Sequence, residues 1–169
     1  RMSEHDGQDE TAEHGQLEGG QGNADEYQDP LIGKVLENRY KVIESVGEGG
    51  MAMVYRAQDT KTNRDVAVKV LNAHASRDSS ILSRFESEAN IIAKLSHPNT
   101  LTMFDFGRTN EGQLFLVIEF VKGGDLEDLL EKGPLEQAQL MRIMRQVLEA
   151  LHEAHLEDII HRDLKPGNI

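Results

Sequence analysis

A chain of 169 residues, 38% hydrophobic and 28% charged, has the length of one domain with an appendage and the makeup of a soluble globular protein. Its net charge of −12 argues against nucleic acid as a partner, and the lack of cysteine excludes disulfides, a thiolate nucleophile and Cys-ligated zinc. The longest clean apolar run, Leu114–Ile118, is far short of the roughly 20 residues that cross a bilayer, and no secretory signal opens the chain, so this stretch reads as cytoplasmic.

Residues 1–30 carry nine acids against one base, Arg1, and account for −8 of the net charge. Five glycines and four glutamines add little that can be buried, so an acidic, disordered leader is expected here, with a folded unit over 31–169. Tyr40–Val46 reads as a strand, Gly47–Gly50 as a flexible turn and Val54–Gln58 as the returning strand. Val66–Leu71 is a third strand, rich in β-branched residues. Leu82, Phe85, Ala89 and Ile92 then recur at helical spacing, which predicts an amphipathic helix over Ser79–Leu95, ended by His97-Pro98-Asn99. Strands follow near Leu101–Phe106 and Leu114–Phe120, joined by a turn around Asn110-Glu111-Gly112. Past Gly123-Gly124 come a short helix, Leu126–Lys132, and a long one opened by Pro134, with Leu140, Met144, Val147, Leu151 and Ala154 on one face. Neighbouring strands joined by short turns imply an antiparallel sheet and an α+β class.

Three features bear on chemistry. Gly47-Glu48-Gly49-Gly50 lies between strands, where glycines let backbone amides approach phosphate oxygens; a plain tight hairpin explains it equally well. A dinucleotide-binding turn is disfavoured, because Met53-Val54-Tyr55 continues as strand and no helix opens there. Lys69 sits mid-strand on the same face as Ala67, and an inward lysine needs an anionic partner. Glu88 borders the buried stripe of the next helix and is the candidate, whereas Glu86 lies off that stripe. The pair His152 and His155 invites a zinc reading but stands at i, i+3, where a zinc helix needs i, i+4; packing of the helix face is preferred.

Taken in order, Gly47-x-Gly49…Val54, Val66-Ala67-Val68-Lys69, Phe85-x-x-Glu88-Ala89, His97-Pro98-Asn99 and His161-Arg162-Asp163-Leu164-Lys165-Pro166-x-Asn168 resemble a protein kinase. The wording of the glycine turn, and of Arg84-Phe85-x-x-Glu88-Ala89, is similar to bacterial receptor-like (Hanks-type) serine/threonine kinases. The resemblance runs from about Leu31 to Ile169.

The resemblance implies ATP and Mg²⁺ as cofactors and a protein serine or threonine hydroxyl as acceptor. Gly47 and Gly49 would cover the phosphates, Lys69 paired with Glu88 would hold them, and Val54 and Ala67 would roof the adenine. Ile118 falls at the gatekeeper, Glu119–Val121 at the hinge, with Glu119 and Val121 meeting the adenine through their backbone. Asp125 matches a ribose-contacting acid. Asp163 would orient and deprotonate the hydroxyl, Lys165 marks the serine/threonine class, and Asn168 would bind Mg²⁺. Arg162 points to control by activation-loop phosphorylation. The implied fold is a five-stranded antiparallel sheet with one helix (N-lobe, about 31–118), a hinge at 119–121 and the start of a C-lobe over 122–169.

Departures from the family pattern are Ala52, in place of a third glycine, and Asp158, where glycine is frequent; aspartate tolerates left-handed geometry, so little strain is expected. Asp105-Phe106-Gly107 spells the family's metal-binding triplet, but it precedes the hinge and is expected to be a decoy. Arg1 precedes Met2, and the chain stops inside the charged run His161–Ile169, so a kinase fragment is expected. These 169 residues alone should be inactive, with any membrane anchor lying beyond Ile169. The rival reading is a pseudokinase or nucleotide-sensing module.

Overall fold

The computed structural model describes residues 29–169. The acidic leader lies outside the described residues except for Asp29 and Pro30. The strands are β1 (Val35–Leu36), β2 (Tyr40–Glu48), β3 (Ala52–Asp59), β4 (Arg64–Leu71), β5 (Met103–Arg108) and β6 (Leu114–Glu119). The helices are α1 (Ser79–Lys94), α2 (Leu126–Glu131) and α3 (Gln137–Leu156). All six strands join one antiparallel sheet in the order β1-β2-β3-β4-β6-β5.

The expected count of five strands is therefore corrected to six. The addition is β1, whose two residues are too few to show alternation. Its turn into β2 places Glu37 and Asn38 at φ 47° and 51°, and glutamate gives no turn signal there. Two boundaries also shift. β2 continues through Gly47 to Glu48 across two bulges, so the turn proper is Gly49–Met51. α3 starts at Gln137 and not at Pro134, because Glu136 is extended (φ −58°, ψ 139°) and holds the preceding residues in the loop.

Alternation along the strands sorts the apolar residues into two layers. One face buries Tyr40, Val42, Tyr55, Val66, Val68, Val70, Phe115 and Val117, and Leu31 and Leu36 close over it. The other buries Ala52, Leu71, Leu114 and Leu116 against Phe85 and Ala89 of α1. β4 is thus covered on both faces, which explains its near-continuous apolar run and makes Lys69 the exception within it. Asp78 starts α1 by accepting hydrogen bonds from the Ser80 and Ile81 amides (2.8 and 3.3 Å). Asp29, which composition grouped with the leader, is tied to the sheet: its carboxylate accepts from the Tyr55 hydroxyl (2.7 Å) and the Leu31 amide (2.9 Å).

The buried acid at the end of β3 is fully partnered. Asp59 accepts from Arg39 Nε (3.0 Å) and Nη2 (2.8 Å), the Lys61 amide (2.9 Å) and the Thr62 hydroxyl (2.9 Å). The Arg39 guanidinium, helped by Thr62 and Lys61, holds this carboxyl well below the usual range. Asp59→Ala should cost about 2 kcal/mol at pH 7, the size of a lost charge-assisted hydrogen-bond set. A carboxyl with a depressed folded-state pKa stabilises above its unfolded pKa and loses that contribution as pH falls. The melting-temperature gap between wild type and variant should thus be widest near neutrality and narrow below about pH 4.

Candidate functional site

The register of the sheet assembles the first half of the site. Gly47, Val54, Lys69 and Leu116 are successive cross-strand neighbours, and Arg56, Ala67 and Ile118 form the next row. Directly opposed residues share a face, so Val54, Ala67 and Lys69 all lie on the side that α1 covers. Lys69 Nζ donates to Glu88 Oε1 at 2.7 Å and sits 5.8 Å from the centre of the Phe85 ring. Phe85 is buried and Glu88 follows it by three residues, so the ring's packing against Leu71 and Leu116 fixes the carboxylate's height above β4. Glu86, the competing acid, points instead to Arg108 at 3.8 Å.

The glycine turn projects at the edge of this face. Gly49 N–H donates to Ala52 O at 2.9 Å, and a Cβ on Gly49 would stand 3.3 Å from that oxygen, tight enough to favour glycine. At the other side of the face β6 runs into Glu119, whose amide donates to Thr102 O at 2.9 Å. Two residues on, Val121 is 62% exposed, an unusual position for a valine.

The second half lies on the loop after α3. Asp158 caps that helix at φ 57°, so the aspartate standing where glycine is frequent does adopt the left-handed geometry. Arg162 is also left-handed, at φ 61°, strained for a long side chain immediately before Asp163. Asn168 Nδ2 donates to the Asp163 carbonyl (2.7 Å) and carboxylate (3.1 Å), and Lys165 Nζ stands 3.3 Å from the same carboxylate. These two neighbours, Asn168 first and Lys165 second, hold the Asp163 carboxyl below its ordinary range, and at 69% exposure it meets solvent as an anion. Asp125 caps α2 in a reciprocal box with Asp128, and Leu126 N–H donates to Ile169 O at 2.8 Å, which ties the loop to that helix.

Sequence-predicted residues therefore fall into two groups. The sheet group holds Gly47, Gly49, Val54, Ala67, Lys69 and Glu88, and the loop group holds Asp125, Asp163, Lys165 and Asn168. Among the described residues no hydrogen bond or ion pair joins one group to the other. A contact that sequence reasoning missed spans the two halves of the chain. Glu153 of α3 accepts from the Ser96 amide (2.7 Å) and hydroxyl (3.4 Å), just past the end of α1. The two lie 57 positions apart, so no local signal could have found it.

Asp105-Phe106-Gly107 has structural partners throughout. The Tyr40 hydroxyl donates to Asp105 at 2.7 Å, Phe106 tilts against Phe85 at 6.1 Å, and a Cβ on Gly107 would meet the Phe115 ring at 2.9 Å.

The arrangement is thus an antiparallel sheet, a helix that offers a carboxylate to a mid-strand lysine, and a helix-to-loop element bearing Asp163 and Asn168. The model of the protein kinase domain matches residues 40–169, and the chain belongs to that family. It is 41% identical over 142 residues to the serine/threonine-protein kinase pkn3 of Myxococcus xanthus, covering 83% of this chain and 26% of that protein. Identity to PrkC of Bacillus subtilis, another serine/threonine-protein kinase, is 38% over 140 residues, covering 82% of this chain and 22% of PrkC. The crystal structure of the PknI kinase domain of Mycobacterium tuberculosis superposes with a TM-score of 0.67 at 29% identity, over 80% of this chain and 55% of that one. The chain thus spans about a quarter of the length of these curated relatives. No helix among the described residues is long and apolar enough to cross a membrane.

Proposed function

We propose that this chain is the ATP-binding part of a serine/threonine protein kinase, with an N-lobe over about 31–118, a hinge at 119–121 and the start of the C-lobe from 122. The observation that carries this reading is the 2.7 Å Lys69–Glu88 pair on the sheet face edged by the glycine turn. A cation fixed by a carboxylate serves to place phosphate oxygens, and the glycines of the turn beside it let the backbone come close to them. Val54 and Ala67 supply apolar cover for a purine, and the backbone of Glu119 and Val121 supplies polar groups along its edge. Asp125 is available to a ribose once the α2 cap is shared.

In the reaction, the acceptor oxygen of a serine or threonine bonds to the γ-phosphorus, and the bond from phosphorus to the β–γ bridging oxygen breaks. The hydroxyl proton passes to the Asp163 carboxylate, and ADP leaves with the electron pair of the broken bond. Asp163 suits this role as an exposed carboxylate held in place by Asn168, ionised at neutral pH as any aspartate is. Lys165 lies close enough to share the charge of the transferring group.

Asn168 would offer one oxygen to Mg²⁺. Asn168 uses its amide nitrogen on Asp163, which leaves its carbonyl oxygen for a hard cation. Mg²⁺ bound there would neutralise charge on the phosphates.

Calorimetric titration of the full-length protein with ATP, with and without Mg²⁺, tests the reading. Saturable binding that Glu88→Ala weakens by about tenfold is expected, since loss of a charged partner costs some 1.5 kcal/mol or more. ATP affinity indifferent to Glu88 would contradict it.

A further inference from the structure

We propose that Asn72 is a positioning residue that holds the tip of the glycine turn at a set height over the nucleotide face and couples it to α1; this rests on the kinase reading above. Asn72 follows β4 directly, three residues after Lys69, and its polar groups work in two directions. Toward the turn, its amide N–H donates to Met51 O (3.0 Å) and its side-chain Nδ2 to Gly50 O (3.3 Å). Toward the helix, its Oδ1 accepts from the Ala75 amide (2.8 Å), and its carbonyl accepts from the Ser76 amide (3.0 Å) and hydroxyl (2.9 Å).

The second set is anchored. Ala75 is buried in the layer that contains Phe85 and Ala89, and the same short turn runs into Asp78, which starts α1. The first set reaches a segment with little support of its own. A Cβ on Gly50 would have nothing within 4 Å, and the internal bond of the turn is the single one from Gly49 N–H to Ala52 O. Glycine backbone left loose must be ordered when a nucleotide docks, and that ordering subtracts from affinity. Asn72 removes part of this cost in advance, joining the turn to the helix that bears Glu88.

Asn72→Ser separates the two sets. A serine hydroxyl can still accept from the Ala75 amide but is too short to reach Gly50, and it adds no charge. In the full-length protein the Kd and KM for ATP should rise about fivefold, the worth of one net hydrogen bond, with kcat within about twofold of wild type. The melting temperature should be unchanged, and amide hydrogen exchange in the nucleotide-free protein should quicken at residues 49–52 and not in α1. Asn72→Asp keeps the acceptor and loses the donor, and at high salt, where its charge is screened, it should act likewise. Unchanged ATP affinity in both variants, with unchanged exchange in the turn, would overturn the inference. So would equal losses in kcat and stability, which would mark Asn72 as a general support of the fold. A wild-type protein that binds no ATP would fail the kinase reading itself, and is told apart by the absence of any Kd to compare.

Discussion

Lys69→Met in the full-length protein is expected to lower phosphotransfer by about a hundredfold or more while leaving the protein folded. The two effects separate because of where the pair sits. Lys69 and Glu88 side chains are 30% and 43% exposed, so their attraction is screened by water and contributes little to stability. A methionine of similar length keeps the apolar stem packed beside Phe85. What disappears is the cation that would hold the phosphates, and among the described residues no other lysine or arginine makes an ion pair with Glu88 to replace it. Initial rates with Mg-ATP, set beside thermal melts, decide the matter. Near-normal turnover in the variant would reduce the Lys69–Glu88 pair to a structural tie between β4 and α1.

The second large effect is expected at Asp163. Asp163→Asn preserves shape and removes the anion, so the acceptor hydroxyl loses its base and Lys165 loses its partner. The rate should fall about a thousandfold or more, with ATP affinity within about twofold of wild type, because Asp163 acts on the acceptor and not on the nucleotide. Stability should barely change, since the side chain is largely in solvent and its bonds are local. A variant that lost ATP binding in step with rate would place Asp163 in nucleotide binding. The low-set carboxyl also carries a pH signature. Asp163 should stay competent at a lower pH than an ordinary aspartate would, and Lys165→Met, which removes a stabilising cation, should shift its titration upward.

Most of the sheet was legible because burial on two faces leaves a clear trace. The apolar run at Val66–Leu71, broken by Lys69 alone, marked both the strand and the lysine that pairs with Glu88. Helix α1 was equally plain, since Phe85 and Ala89 recur at the spacing its buried face demands, and that stripe is what separated Glu88 from Glu86. β1 was not legible, because two residues carry no period and its turn lacks glycine. The start of α3 was placed too early, since proline favours a first helical turn but does not compel one.

At the site, the resemblance located the Asp163–Asn168 loop, but not the hydrogen bonds that tie Asn168 to Asp163. The Asp105 triplet was set aside on position alone, and the Tyr40 hydroxyl shows what that carboxylate does. Asn72 and Glu153 were invisible for one shared reason. Their partners lie 22 and 57 positions away, and neither residue type is unusual in its local segment.

In the proposed function this chain serves the transfer of phosphate from ATP to protein hydroxyls through Lys69 and Asp163. The most direct measurement is to incubate the full-length protein and a generic serine/threonine substrate with γ-labelled Mg-ATP, alongside Lys69→Met and Asp163→Asn, and identify the labelled amino acids. Label is expected on phosphoserine or phosphothreonine with wild type and almost none with either variant. A wild type that binds ATP yet transfers no label, or variants that transfer as much as wild type, would contradict it.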